Sequence, residues 1–517
     1  TGSNLKQRFE TDIPDMVTVD DQTLLNERVN RITFDGILRV ESDYGYIHRR
    51  KEQTHTIRVE RMLYPSPAKA CYLEEYTFTN NSANAVTLRV PRWRVSYTTP
   101  EAAGVYGAYA IEASLSKHGQ FRLNPGETLG FFAVFQAYKL AGEPPLDVAE
   151  LDVAAERAER EALVAQWWGN LVLDTPEPVL NRMFAFAKIR GAESIYATKG
   201  GLMHGPGGEA YYAAIWANDQ AEYINPFFPF LGYEAGNESA LNSFRHFARF
   251  MNPDYKPIPS SIISEGVGTW HGAKDRGDGA MIAYGAARYA LARGDKAEAR
   301  ELWPLIEWCL EYCRRKLTPE GVVASDSDEL ENRFPSGDAN LCTSTLYYDA
   351  LRSAVCLGRE LEVSRKQLAG YAAQAKMLES SIENYFGHDV EGFRTYRYYE
   401  GNDVLRSWIC MPLVMGIYGR AEGTVDALLS PRLCTENGLL TQAGTDTYWD
   451  RSTLYALRGI LAAGEVERGI RFLQHYSRTR LLGEHVPYAI EAWPEGSQRH
   501  LSAESGLYCR IITEGMF

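Results

Sequence analysis

The 517 residues predict two architectures in series: an antiparallel β-sandwich, then a toroid of paired helices. Three observations point there. Alternating runs rich in β-branched and aromatic residues fill positions 15–140. The apolar period then becomes helical and stays so to the end. The loops between those helices are of two kinds, short plain turns and long stretches rich in Trp, Asp, Glu and Gly, as expected of a ring with one structural rim and one chemical rim. The divisions this implies are 1–145 for the sandwich, 146–175 for a linker helix and 176–517 for the helical domain.

Taken in order, the strands are expected in MVTVDD, RITFDGILRVES, HTIRVERMLY, YLEEYTFTNN, AVTLRVPRWRVSY, YAIEASLS and LGFFAVFQAYKL. Turn signals at Asp35-Gly36, Asn80-Asn81-Ser82 and Asn124-Pro125-Gly126 separate them. Such regular, short strands suit a sandwich. LDVAAERAEREALVAQWWGNL, 151–171, carries a charged face and an apolar one and predicts the connecting helix.

Helices are then expected at 177–196, 216–231, 238–251, 278–293, 299–317, 342–357, 365–385, 404–418, 421–429, 451–463, 465–478 and 502–514. In the fifth, Leu302, Leu305, Ile306, Cys309, Leu310, Cys313 and Leu317 recur at spacings of three and four. Pro304 then falls in its first turn, where proline is tolerated.

Composition narrows the function. An apolar share of 45% with 23% charged residues is the ordinary globular balance, and no run approaches the roughly 20 apolar residues of a membrane-spanning helix. The 67 acidic residues exceed the 54 basic ones all along the chain, which disfavours nucleic acid and suits a neutral or small substrate. The 31 Tyr and 10 Trp offer amphipathic faces that fit sugar rings, although most must be core. Eight cysteines without a CxxC pair read as reduced core residues. Ten scattered histidines lack metal-binding spacing, so no metal and no cofactor is expected. The chain begins TGSN without a basic and apolar leader, which fits a cytoplasmic or a processed secreted protein, with a periplasmic or secreted location preferred.

Four loops could carry chemistry. The first, 205–232, presents Trp216, Asn218, Asp219 and Gln220 at a helix entry. Asp219 could bind sugar hydroxyls or simply face the helix dipole. The second, 262–280, offers Glu265, Trp270, His271, Asp275, Arg276 and Asp278, and its Arg-Gly-Asp triplet reads as chance. The third, ASDSDELENRFPSGDANL, holds five carboxylates in thirteen residues. Crowded like charges raise one another's pKa, and a carboxylic acid still protonated near neutrality can protonate a leaving glycosidic oxygen. A calcium loop or a solvated turn is the plainer alternative, but no glycine stands sixth from Asp326 as an EF-hand needs.

The fourth loop, 484–507, sets Glu491, Trp493 and Glu495 beside Arg499 and His500. Nearby cations hold a carboxylate ionised, the profile of a general base, although a buried ion pair or a cap would look the same. An acid and a base on one rim would together meet the needs of glycoside hydrolysis. The sequence has neither a GxSxG elbow nor a GxxxxGK[ST] phosphate loop, so serine-nucleophile and nucleotide chemistries drop out.

The order of sandwich, linker helix and about twelve helices resembles the six-hairpin (α/α)6 glycosidases, a superfamily with glucoamylases, α-L-rhamnosidases and kojibiose and maltose phosphorylases. IWANDQAEY after the first helix, DELENRFPSG between the fifth and sixth and EAWPEGSQRHLSAESGLYCRI before the last carry the resemblance, which covers nearly the whole chain. It implies Glu329 as general acid, with Glu331 as rival, and Glu491 as general base, with Glu495 as rival. It also implies that Trp216, Asp219, Trp270, His271, Arg333 and His500 line the subsite of the released sugar, with Trp493 in the same loop set. Many relatives continue into a small C-terminal β-domain, whereas this sequence ends just after the last helix.

The expectation is therefore an inverting glycosidase whose long rim loops close an exo-type pocket on α-linked oligosaccharides. A phosphorylase of the same architecture would replace the base with a phosphate site, against which Glu491 speaks. A polysaccharide lyase would want a cationic cleft, and these loops are acidic. A sugar-binding protein without turnover stays open.

Overall fold

The computed structural model describes residues 5–48, 50–206, 214–483 and 502–517, and the chain divides into two compact units, Thr1–Gln166 and Trp167–Phe517. Among the described residues, the first is built on eleven strands: β1 Thr18–Val19, β2 Gln22–Thr23, β3 Leu25–Phe34, β4 Leu38–His48, β5 Lys51–Pro65, β6 Cys71–Asn80, β7 Val86–Val90, β8 Arg94–Thr98, β9 Tyr109–Leu115, β10 Gly119–Leu123 and β11 Thr128–Lys139. They form a four-stranded sheet, β10-β7-β1-β2, and a seven-stranded sheet, β3-β4-β5-β6-β11-β9-β8, all antiparallel.

Alternation explains the layering. Cys71, Leu73, Tyr76, Phe78 and Asn80 of β6 are buried, with half-buried residues between most of them. Val19, Leu88, Val90 and Leu123 of the small sheet pack against Ile57, Val59, Tyr76, Phe78 and Phe131 of the large one. The Phe131 ring stacks on Phe78 at 5.5 Å and on Tyr76 at 5.6 Å. The opposite face of the large sheet buries Tyr64, Leu73 and Val134 against Leu146, Val148, Leu151 and Val153. The Val153–Gly169 helix is fixed there by polar contacts: Arg160 donates to the Gly36 carbonyl at 2.8 Å, Arg157 meets Glu75 at 2.9 Å and Ser66 donates to Glu156 at 2.6 Å. Gly36 is left-handed, with φ 103°, and a Cβ there would strike Val164, so the Asp35-Gly36 turn needs glycine twice over.

The second unit is helical, and burial separates an inner from an outer set. Asp278–Arg293 buries twelve of its sixteen residues, Leu341–Glu360 sixteen of twenty and Ser502–Ile511 all ten. In contrast, Arg365–Phe386 buries five of 22, and Val466–Tyr476 only Gly469, Phe472, Leu473 and Tyr476. One-sided helices outside fully buried ones make a double ring, the toroid that the periodicity predicts. All eight cysteines are free and six are buried. Among the described residues, no helix is long and apolar enough to cross a membrane.

Of the elements that differ from their sequence expectation, three lead into the site. The stretch 216–231 is a short strand Ile215–Trp216, a π-helical turn Asn218–Ile224 and a short helix Phe228–Leu231, because Pro226 and Pro229 interrupt the hydrogen-bond ladder. Region 404–418 forms only the 3-10 turn Ser407–Cys410 and the helix Met411–Val414. The Lys296–Arg315 helix starts three residues earlier than its apolar stripe indicates, since Asp295 caps Ala297 N at 2.7 Å and Glu298 N at 3.0 Å. Pro304 therefore lies inside it, on the exposed side where water can satisfy the freed carbonyl.

Candidate active site

The loop from Lys316 to Asn340 joins an outer helix to the inner Leu341–Glu360 helix, and short contacts pin it. Asn340 caps that helix by accepting from Thr343 N at 2.8 Å and donates to Ser325 Oγ at 2.8 Å. Ser327 Oγ donates to the Ala273 carbonyl at 2.6 Å, and Asp326 N to the Asp275 carbonyl at 2.9 Å, so this loop is sewn to the 262–280 loop. Asp328 accepts from Leu330 N at 2.9 Å and from Tyr398 at 2.9 Å, with Arg406 at 3.8 Å. That bend drives the next side chain, Glu329, into the interior, where it is 2% exposed.

Glu329 Oε2 accepts from the Tyr223 hydroxyl, and Asn218 Nδ2 approaches the same oxygen at 3.5 Å. Arg451 Nη1 stands 3.7 Å away, and Oε1 is buried with no partner among the described residues. Burial is the main reason that the pKa of Glu329 rises to about 7; Asp328 adds to the rise, while Arg451, Tyr223 and Arg276 pull it back. Crowding of five carboxylates is thus not the principal cause. Glu331, in contrast, is 22% exposed and engaged by Arg276 at 3.1 Å and Arg333 at 3.2 Å.

Asp219 joins the same cluster from the π-turn, 3.5 Å from Arg451 Nη2. The Arg451 guanidinium lies between the rings of Tyr223, at 5.2 Å, and Trp449, at 5.1 Å. Glu504 Oε1 accepts from Arg451 Nη2 at 2.5 Å and Nε at 3.0 Å, leaving its Oε2 without a partner among the described residues. Burial raises the pKa of Glu504 too, against the pull of Arg451. Arg276 bridges the cluster to its support, reaching Asn218 at 3.2 Å, Asp278 at 3.0 Å and Glu331. The Arg-Gly-Asp triplet is therefore interior structure, with Arg276 and Asp278 each 1% exposed.

Trp216 and Trp270 sit on strands either side of Ser261, each directly paired with it. Paired residues share a sheet face, so the two indoles project together, roughly 10 Å apart at the backbone. His271 follows at the exposed end of that sheet. Arg333 lies over the Trp449 ring at 5.2 Å, on the aromatic that also receives Arg451. Glu491, Trp493, Glu495 and His500 lie outside the described residues.

Sequence reasoning missed Tyr223, Trp449, Arg451 and Glu504. Two of them left a signal. Arg451 and Glu504 are charges near the starts of largely apolar or small-residue helices, DRSTLYALRGILA and SAESGLYCRI, and charged residues are rarely buried without a partner.

No known family's sequence profile matches the chain, and no curated protein matches it in sequence. Solved structures do match. A bacterial glucoamylase complexed with acarbose superposes over 98% of this chain and 90% of its own, with TM-score 0.57 and 10% identity. A glycosidase in its wild-type form covers 66% of this chain and 98% of its own, with TM-score 0.52 and 14% identity. A variant glycosidase in complex with glucose gives 66% and 98%, TM-score 0.51 and 13% identity. The sheet unit followed by the helical unit is the six-hairpin glycosidase fold.

Proposed function

We propose that the chain is a glycoside hydrolase, inverting and exo-acting on α-linked oligosaccharides, with Glu329 as general acid. The observation that carries this is the buried Glu329 carboxyl, whose Oε1 lacks a partner among the described residues and whose proton is held to about pH 7. A neutral carboxylic acid with a free oxygen can donate to a glycosidic oxygen as the C–O bond breaks. Once the proton has gone, Tyr223, Asn218 and Arg451 face the new carboxylate.

Glu491, with Glu495 as rival, is the proposed base that draws a proton from water attacking the opposite face of the ring. Inversion requires about 6.5 to 9.5 Å between the two carboxyls, enough for that water. Asp219, Trp216, Trp270, Arg333, His271, Trp493 and His500 are proposed to hold the sugar: aromatic faces on its apolar side, charged groups on its hydroxyls. The likeness to a glucoamylase complexed with acarbose and to a glycosidase in complex with glucose supports a carbohydrate substrate.

The test is a screen of aryl glycosides and disaccharides, with NMR of the first anomer released. Glu329→Gln should lower kcat on disaccharides by about 10²- to 10⁴-fold, and less on dinitrophenyl glycosides, whose leaving group needs little protonation. Retained anomeric configuration, or full activity of that variant on a disaccharide, would reject the mechanism.

A further inference from the structure

Three carboxyl groups, Asp219, Glu329 and Glu504, converge on one guanidinium, that of Arg451. Its side chain is 4% exposed and that of Glu504 is 0% exposed, so water cannot screen them. The sharing is unequal. Glu504 takes two N–H donors on one oxygen, while Glu329 stands off at 3.7 Å.

We propose that Glu504 is a positioning residue for Glu329: the two carboxyls compete for Arg451, and Glu504, being in contact, holds the guanidinium back from Glu329 and so leaves Glu329 its proton. The proposal rests on Glu329 being the proton donor of the proposed reaction. Were Arg451 left to Glu329 alone, an opposite charge within about 4 to 6 Å would strip the proton near neutrality. Glu504 anchors the guanidinium away from Glu329, yet at 3.7 Å it stays close enough to stabilise the Glu329 carboxylate once it forms.

Among the described residues, the other charged groups facing the pair have contacts of their own. Glu222 accepts from Tyr455 at 2.6 Å and its carbonyl accepts from Arg510. Asp328 is held by Tyr398 and Arg406, and Arg276 is spent on Asp278 and Glu331. Asp219 touches Arg451 from the π-turn, but with one longer contact against the two of Glu504. Tyr223, Cys342 of the Leu341–Glu360 helix and Cys410 also face Glu329, and burial keeps all three neutral across the working range.

The experiment measures the Glu329 titration twice: from the basic limb of kcat/KM, and from ¹³C NMR of the resting protein labelled at glutamate carboxyls, with the signal assigned by Glu329→Gln. Glu504→Gln should move the midpoint down by about one pH unit or more, and Arg451→Gln should move it up by a similar amount. Arg451→Lys should stay nearer wild type. Opposite shifts are the signature, since a merely structural role lowers Tm and kcat without displacing the midpoint in two directions. If Arg451→Gln does not fold, Glu504→Gln alone decides, because an unmoved midpoint, or an upward one, overturns the proposal. If the wild type hydrolyses no glycoside, the glycosidase reading fails on its own, and the NMR titration still judges the competition for Arg451.

Discussion

As the proposed donor, Glu329 has to hold a proton before bond cleavage and tolerate a charge afterwards, and different neighbours serve the two needs. Burial supplies the first. Tyr223, donating to Oε2, serves the second. Tyr223→Phe keeps the ring that packs on Tyr455 at 5.7 Å and removes only the donor. A hydrogen bond to a charged group contributes about 1.5 to 3 kcal/mol, so kcat should fall about 10- to 100-fold. The basic limb should also move to higher pH, because the lost bond favoured the ionised form; a pH profile of kcat/KM checks both, and a limb moving downward would contradict the role. Glu329 and Asp219 were legible in the sequence because acidic residues in loops between helices invite a chemical explanation. Tyr223 was not, since an aromatic among apolar residues reads as core, and its partner lies 106 positions along the chain. Contacts of that range are set by packing, which a single sequence does not display.

The element that delivers Asn218, Asp219 and Tyr223 is the π-turn Asn218–Ile224, every residue of which is buried. Its place is set by close approach to the Asp278–Arg293 helix: a Cβ on Gly285 would collide with the backbone of Ala221. Gly285→Ala sets two effects against each other. Alanine improves helix propensity by about 1 kcal/mol, while overpacking costs about 1 to 3 kcal/mol when backbone must yield. A backbone carbonyl has no rotamer to escape into, so the second should win: a lower Tm, and activity falling more than stability as Tyr223 and Asp219 shift. Unfolding scans and kcat/KM at one temperature below both transitions separate the effects, and a variant as stable and active as wild type would refute the packing argument. The irregular elements are also where the sequence was least legible. Strands such as β6 and inner helices such as Leu341–Glu360 follow from apolar period alone. The apolar residues of 216–231 are equally periodic, but two prolines and the demands of the site break the ladder there.

At the scale of the whole molecule, the helical unit carries every described member of the site and buries many ionisable groups, with consequences for how stability depends on pH. Burial raises the pKa of Glu222, Asp275, Asp328, Glu329 and Glu504, Glu329 reaching about 7. An unfolded glutamate titrates near 4.3, so between that pH and about 7 the native state binds more protons than the unfolded one. Stability must then fall as pH rises through this window. Glu514 acts the other way: Arg458 and Arg510 hold its pKa at about 2 despite burial, so its contribution is present above the unfolded value and lost as pH falls toward 2. The two together predict a stability maximum well on the acidic side of neutrality, near the unfolded glutamate value of about 4.3, with Tm falling by a few degrees toward pH 8. Glu329→Gln should flatten the alkaline slope, because a neutral amide has no proton to lose, and should matter little near pH 5. Arg458→Gln should instead lower Tm most above pH 5, where Glu514 would be left ionised with one partner fewer. Thermal unfolding from pH 4 to 9 on the three proteins tests this, and a wild-type Tm that rises steadily from pH 5 to 8 would show that the buried carboxyls of the helical unit do not govern its stability.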